Sequence, residues 1–123
     1  DNEGATVSTV SLADPDDILN ADDIITATVS DADNVLQAAE YYIDVVGLPG
    51  EGIAMTAVDG AFDTRTEEVT APLSIASLSE GQHTLYVRAR DVTGEWGVPQ
   101  ALVFVVDRIP PAIQAVSVLY PEN

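Results

Sequence analysis

The chain has 123 residues, of which 46% are hydrophobic and none is cysteine, and its 21 acidic residues face four basic ones, giving a net charge of -17. This length fits one domain, and the lack of cysteine excludes disulfides, thiolate metal sites and thiol nucleophiles. A surface this acidic repels phosphate backbones and anionic lipid, so no nucleic-acid partner is expected. No apolar run has the length of a membrane span, so no insertion of this segment into a membrane is expected.

Alternation of apolar and polar residues with a period of two dominates the chain, and turn residues interrupt it at regular intervals. The alternation predicts seven β-strands, over residues 6–12, 23–30, 39–46, 52–58, 68–75, 83–90 and 100–107. Glycine, proline, asparagine and aspartate between the strands favour tight turns. Seven short strands in a chain of this length predict an all-β fold, an antiparallel two-sheet sandwich of Greek-key type.

The strand over residues 83–90 indicates which of its faces is buried. The predicted inward set is His83, Leu85, Val87 and Ala89, and the predicted outward set is Thr84, Tyr86, Arg88 and Arg90. We expect both arginines to lie on a solvated face and to pair with some of the surplus carboxylates. His83 is the lone histidine, so we expect it to hydrogen-bond a backbone group across the neighbouring turn rather than to act in a catalytic triad or a zinc site.

The two ends of the chain repeat one pattern. The N-terminal "VSTVSLADPDD" (residues 7–17) matches the C-terminal "IQAVSVLYPEN" (residues 113–123), one sandwich-domain length later. The run "DRIPP" between them predicts a stiff linker, because paired prolines favour an extended backbone. The sequence therefore predicts a domain over residues 1–107. Residues 108–123 are predicted to be a linker plus the first strand of a following repeat, or a donor strand for a neighbouring copy.

The stretch "LSEGQHTLYVRARDVTGEWG" and the closing "FVVDRIPP" resemble the final hairpin of immunoglobulin-like and fibronectin-III-like repeats in secreted and surface-anchored prokaryotic proteins, including archaeal surface-layer proteins. The positions that fit the pattern are Leu78, Gly81, His83, Val87, Arg88, Asp91, Gly94, Trp96, Gly97, Phe104 and Asp107. The resemblance is best over residues 39–111. It implies an immunoglobulin-like sandwich, an extracellular location and tandem repeats, but no particular ligand, because such repeats share none.

Aspartate-rich loops are the feature that indicates a bound ion, since calcium takes several oxygen ligands at flexible geometry. In the predicted topology the first loop and the C-terminal exit meet at one end, which gathers Asp14, Asp16, Asp17 and Asp107 as candidate calcium ligands. The opposite end gathers Asp31, Asp33, Asp91 and Glu95. No cofactor is required by the sequence, and the alternative interpretation of either group is a solvated acidic rim, which also suits a high-salt habitat.

The sequence predicts that the chain is not an enzyme, because its carboxylates stand in no local motif that would raise one pKa against another. We expect a structural module of an extracellular surface-layer, cell-surface or filament protein, with copies of itself or neighbouring repeats as partners. Two alternatives stay open. In the first, the chain is an accessory module that binds carbohydrate, cell wall or protein for a secreted enzyme, with Trp96 as a stacking platform. In the second, it is an adhesin repeat stiffened by calcium.

Overall fold

The computed structural model describes residues 4–108, and β-strands are the regular secondary structure in this range. The eight strands are β1 (Thr6–Leu12), β2 (Ile18–Leu19), β3 (Asp23–Ser30), β4 (Leu36–Ile43), β5 (Ile53–Ala57), β6 (Thr66–Leu73), β7 (Gly81–Asp91) and β8 (Gln100–Val106). The prediction of an all-β fold is confirmed for these residues, and none of them forms a helix long and apolar enough to cross a membrane. The predicted tail strand and nearly all of the predicted linker lie outside the described residues.

All seven predicted strands are present, and β1 and β3 have the predicted bounds. β2 is an additional strand of two residues that pairs in parallel with the end of β8. The Val105 N–H donates to the Asp17 carbonyl at 2.9 Å, and the Asp107 N–H donates to the Leu19 carbonyl at 2.8 Å. These bonds join backbone groups only, so a pattern of side chains does not predict them.

The strands form one mixed sheet in the order β1-β3-β6-β5-β4-β7-β8-β2. Neighbouring strands are antiparallel except for β2 and β8. The short β5 joins the two halves, since its residues 53–55 pair with β4 while Thr56 and Ala57 pair with β6. The sheet curls back on itself, so that β1 lies against β7 and β8 despite its place at the other end of the strand order.

The hydrophobic core fills the inside of this curled sheet. The largest fully buried apolar side chains are Phe104, Leu19, Ile25, Leu36, Leu73, Leu85, Val29, Val69, Val87 and Val106. On β7 the predicted inward set is buried, His83 included, which confirms the assignment of that face. In β3 and β6, burial of alternate residues also fixes the register, because a slip by one residue would turn their apolar side chains to water.

The opposite face of β7 is not solvated along its whole length. Arg88, which the alternation places on a solvated face, is only 8% exposed, so that prediction is wrong for this residue. Its guanidinium group is covered by Glu40, Tyr42 and Trp96. The predicted pairing with a carboxylate does occur, with 2.7 Å between Arg88 Nε and Glu40 Oε2. Arg90 is partly buried and also lies over the Trp96 ring.

The segment that leads into β1 packs directly against the loop between β7 and β8. A Cβ atom added at Gly97 would lie 1.6 Å from the carbonyl oxygen of Ala5, so the two backbones are in direct contact. Ala5 is 1% exposed, and the Gly97 N–H donates to the Ala89 carbonyl at 3.0 Å. Glycine at position 97 therefore permits a close approach that a side chain would prevent.

Candidate functional site

The loop between β1 and β2 carries three of the four predicted calcium ligands and is folded around its own carboxylates. Asp14 Oδ1 accepts a hydrogen bond from the Asp16 N–H at 3.3 Å, and Asp16 Oδ1 accepts one from the Ile18 N–H at 3.0 Å. The Asp14 and Asp16 carboxyl groups also interact with each other, which raises the pKa of Asp14 and lowers the pKa of Asp16. Asp17 follows with a left-handed backbone, at a φ of 58°.

Asp107, the fourth predicted ligand, lies at the end of β8 beside this loop. The backbone bonds between β8 and residues 17–19 bring the C-terminal exit next to the first loop, as the predicted topology requires. Within residues 4–108, a different set of acidic residues comes together. One carboxylate oxygen each from Asp59, Asp63 and Glu67 lies within 4.8 Å of the other two. The predicted set does not form such a group, and its binding of calcium stays a prediction.

Asp59 and Asp63 lie in the loop between β5 and β6, and Glu67 lies at the start of β6. The sequence did not lead us to predict this group. Glu67 is 4% exposed, and its Oε2 accepts hydrogen bonds from the N–H groups of Asp63 and Thr64 and from the Thr64 hydroxyl. The bond from the Asp63 N–H, with those from Thr64, outweighs burial and lowers the pKa of Glu67. Burial and the charge of Asp59 raise the pKa of Asp63. Glu67 thus holds the loop that precedes it in place. The equal spacing of the three acidic residues in "DGAFDTRTE" is the signal that could have identified the group.

Asp91, at the end of β7, is a fully buried carboxylate with only one of its two oxygens engaged. It is 0% exposed, and its Oδ1 accepts hydrogen bonds from the Thr93 N–H, the Thr93 hydroxyl and the Glu95 N–H. Burial raises the pKa of Asp91, but the hydrogen bonds from Thr93, the contact with the Asp31 carboxyl group and the bond from the Glu95 N–H outweigh burial and lower this pKa. Asp91 Oδ2 is buried and has no hydrogen-bond partner among the described residues.

Asp31, just after β3, has the same arrangement. Its Oδ1 accepts hydrogen bonds from the Asp33 N–H at 2.8 Å and the Asn34 N–H at 2.9 Å, while its Oδ2 is buried without a partner in the described range. The Asp31 and Asp91 side chains interact with each other. The structure thus brings together two of the four acidic residues predicted at this end, and Glu95 contributes a backbone N–H.

No protein-family model matches the chain, and no curated protein matches it in sequence. The resemblance of "GQHTLYVRARDVTGEWG" to immunoglobulin-like repeats therefore stays a prediction. A functional assignment depends on the chemistry of the residues in the loops and on the strand edges.

His83 joins the loop after β4 to the loop before β7. Its Nδ1 lies 2.6 Å from Asp44 Oδ2, its Nε2 lies 2.7 Å from the Ser79 carbonyl oxygen, and its ring stacks on Phe104. Both partners are acceptors, so both ring nitrogens carry hydrogen when both bonds form, and the ring is then an imidazolium. The bonds with Ser79 and Asp44 raise the pKa of His83. The predicted hydrogen bond to a backbone group across the turn is present.

The raised pKa of His83 makes the stability of the fold depend on pH near neutrality. The stabilisation by the charged ring is complete below the pKa of histidine in the unfolded chain, about 6.5, and is lost as the pH rises through the higher pKa of the folded chain. We expect the free energy of unfolding, measured with urea, to fall as the pH rises above about 6.5, and His83→Gln to show a flatter profile. Parallel profiles for the two proteins above this pH would rule out the imidazolium.

Trp96, the predicted alternative platform for sugar stacking, is already in contact with two guanidinium groups. The Cζ atoms of Arg88 and Arg90 each lie 5.6 Å from the centroid of a Trp96 ring. Arg88 is held there by Glu40 Oε2 and by the Tyr42 hydroxyl. Cation–π contacts of this kind stabilise a fold. These contacts account for Trp96 as a structural residue, and carbohydrate binding stays a prediction.

Proposed function

We propose that the chain is a non-catalytic structural module of an extracellular surface-layer, cell-surface or filament protein, and that copies of it assemble by pairing of strands. The observation that supports this most is the composition of β1 and β8, the long strands nearest the two ends of the sheet. Neither carries a charged residue, in a chain of net charge -17. Proteins commonly protect exposed edges with charged residues or proline, because an unprotected edge pairs with other chains.

Within residues 4–108, no strand is paired along the outer edge of β1 or along most of the outer edge of β8. β1 pairs with β3 on one side, and β8 pairs with β2 on its outer side at Val105 and Val106 alone, so residues 100–104 have no strand there within residues 4–108. Val98, just before β8, is 80% exposed. A groove of about 380 Å³ beside it is lined by Ala5, Thr6, Val7, Val98, Pro99 and Gln100. Main-chain groups without partners bind an added strand through hydrogen bonds.

The partner that fits these edges is the tail of another copy, residues 112–123. It contains the apolar residues Ile113, Val116 and Val118 and has no charge before Glu122, so the acidic surface does not repel its strand-forming part. A tail that enters the sheet of a neighbour makes a head-to-tail contact. Because such a contact does not close on itself, repetition of it builds a filament.

The proposal includes an immunoglobulin-like sandwich with Greek-key connections. In that fold the first, second and fifth strands lie in one sheet and the third, sixth and seventh in the other, with the fourth beside the fifth. With the two-residue β2 set aside, β1, β3 and β6 are the first, second and fifth strands, and they lie side by side. β4, β7 and β8 are the third, sixth and seventh, and they are neighbours too. β5, which pairs with both β6 and β4, links the two sets.

Deletion of residues 112–123 tests the assembly. We expect the full chain to form oligomers whose mass grows with protein concentration, and the shortened chain to be a folded monomer whose melting temperature does not depend on concentration. Light scattering and electron microscopy measure the first property, and circular dichroism measures the second.

Two full-length variants serve as controls for this deletion. Val116→Asp with Val118→Asp keeps the length of the tail but adds charge, and should be monomeric, whereas Glu122→Gln should assemble. Assembly that survives the deletion would contradict strand exchange. Loss of folding on deletion would contradict it too, because the tail would then belong to the sheet of its own chain.

A further inference from the structure

The contact between Asp31 and Asp91 leaves two buried carboxylate oxygens without donors. The Oδ1 atom of each residue is already bonded to N–H groups of its own loop. The Oδ2 atoms are buried, have no hydrogen-bond partner among residues 4–108, and belong to side chains that interact with each other. Asp91 is completely removed from solvent. Each loop therefore leaves one buried oxygen without a donor, on two side chains that lie close enough to interact.

Such an arrangement is unfavourable unless something positive lies between the oxygens. Burial of a carboxylate oxygen removes its hydration, and at these two Oδ2 atoms no described donor replaces the lost water. Among the described residues, the ion pairs within 4.0 Å are His83 with Asp44, Arg88 with Glu40 and Arg108 with Glu80, and none involves Asp31 or Asp91. Arg65, the arginine bonded to the β3–β4 loop, donates to the Ala32 carbonyl instead.

We infer that a hard divalent cation, with calcium as its representative, binds between Asp31 Oδ2 and Asp91 Oδ2 and links the loop after β3 to the loop after β7. Ligands made only of carboxylate oxygen select hard cations rather than zinc or copper, which prefer nitrogen and sulfur. Two protein carboxylates are few for calcium, so water and backbone carbonyls complete the coordination. The affinity therefore falls in the weak range of extracellular calcium modules, with a dissociation constant of about 0.1–1 mM.

The bound cation stiffens the part of the fold on which β1 rests. The loop that begins at Asp91 continues to Gly97, which contacts the Ala5 backbone at the entry to β1. Linking Asp91 to Asp31 holds the beginning of the β3–β4 loop next to the beginning of the β7–β8 loop. Removal of the cation is expected to weaken the contact between Ala5 and Gly97 at the entry to β1 before the rest of the sheet unfolds.

Thermal unfolding of the full chain in calcium and in EDTA tests the inference. Ionic strength is matched with sodium chloride, because any salt screens the repulsion within a chain of net charge -17. We expect 10 mM calcium, about 10 to 100 times the expected dissociation constant, to raise the melting temperature by several degrees. Equal melting temperatures in calcium and EDTA would overturn the inference and would leave a proton shared between the two carboxyl groups as the explanation of their contact.

Asp31→Asn and Asp59→Asn are the matched variants. In Asp31→Asn the side-chain amide oxygen can still accept the bonds of its loop, and the NH₂ group can donate to Asp91 Oδ2, so we expect higher stability in EDTA and no response to calcium. Asp59→Asn changes the other acidic group and should respond to calcium like the unchanged chain. Terbium luminescence sensitised by Trp96, in the loop that follows Asp91, should vanish in Asp31→Asn and persist in Asp59→Asn. A calcium response that persists in Asp31→Asn or vanishes in Asp59→Asn would contradict the site.

Discussion

Replacement of Glu40 with glutamine is expected to lower the free energy of unfolding by about 3–5 kcal/mol, because it leaves the Arg88 charge buried without its carboxylate. Arg88 and Glu40 are only 8% and 3% exposed. Burial lowers the pKa of Arg88, but the bonds with Glu40 and Tyr42 outweigh burial and raise it, so the guanidinium stays charged. The remaining acceptors, the Tyr42 hydroxyl and the Gly47 carbonyl, are neutral and cannot balance this charge.

Glu40 also fastens the loop between β4 and β5, which increases the expected effect of Glu40→Gln. Its carboxylate accepts hydrogen bonds from the Gly50 N–H at 3.2 Å and the Gly52 N–H at 2.9 Å. Urea unfolding of Glu40→Gln, with exposed Glu68→Gln as the control, measures the loss, and the control should change the free energy by less than about 0.5 kcal/mol. Adding Arg88→Met to Glu40→Gln should recover part of the loss, since the unpaired charge is then removed. If Glu40→Gln and Glu68→Gln lowered the free energy of unfolding by the same small amount, the ion pair of Arg88 with Glu40 would contribute little to stability.

Replacement of Gly97 with alanine is the second change with a large expected effect, a loss of about 3 kcal/mol. The added Cβ would meet the Ala5 carbonyl oxygen at 1.6 Å and the Ala5 carbonyl carbon at 2.7 Å. Both are backbone atoms, so relief requires a shift of the chain that leads into β1, not a rotation of a side chain. Ala5 and Val7 are core residues, and such a shift opens the core where β1 lies against β7 and β8.

Gly47→Ala is the matched control for Gly97→Ala. Its added Cβ would meet Tyr42 Cε1 at 3.1 Å, a side-chain atom that can move by a few tenths of an ångström, and Gly47 has no left-handed backbone. We expect a melting temperature close to that of the unchanged chain for Gly47→Ala and a clear decrease for Gly97→Ala. Equal melting temperatures for the two variants would mean that the contact between Ala5 and Gly97 relaxes at little cost.

The local strand pattern was predictable because most long strands bury one face against a single core. β3 alternates without interruption between turn residues, so its bounds follow from the sequence alone. β1 also has the predicted bounds, although a bulge between Val7 and Thr9 interrupts its alternation. β2 depends on backbone bonds to β8 and has no periodic signal. The burial of Arg88 was not predictable either, because it requires the β4–β5 loop to close over the face of β7.

The meeting of acidic loops at each end of the fold was predictable, but the contacts within them were not, and the group of Asp59, Asp63 and Glu67 was missed. Asp14 and Asp16 interact as neighbours in one loop, which the spacing "DPDD" indicates. The contact of Asp31 with Asp91 joins loops far apart in the sequence and depends on each Oδ1 being held by its own turn, so that Oδ2 is left over. Hydrogen bonds of that kind depend on the turn geometry, which spacing alone does not specify.

Amide hydrogen exchange at increasing protein concentration tests the proposed pairing of strands most directly. Amides of β1 that do not donate to β3, and amides of residues 100–104 that do not donate to β7, lie at the open edges. In the full chain these amides should exchange more slowly as concentration rises, while the other strands stay unchanged, and the chain without residues 112–123 should show no such effect. Protection that is independent of concentration, or that appears elsewhere in the sheet, would contradict assembly through these edges.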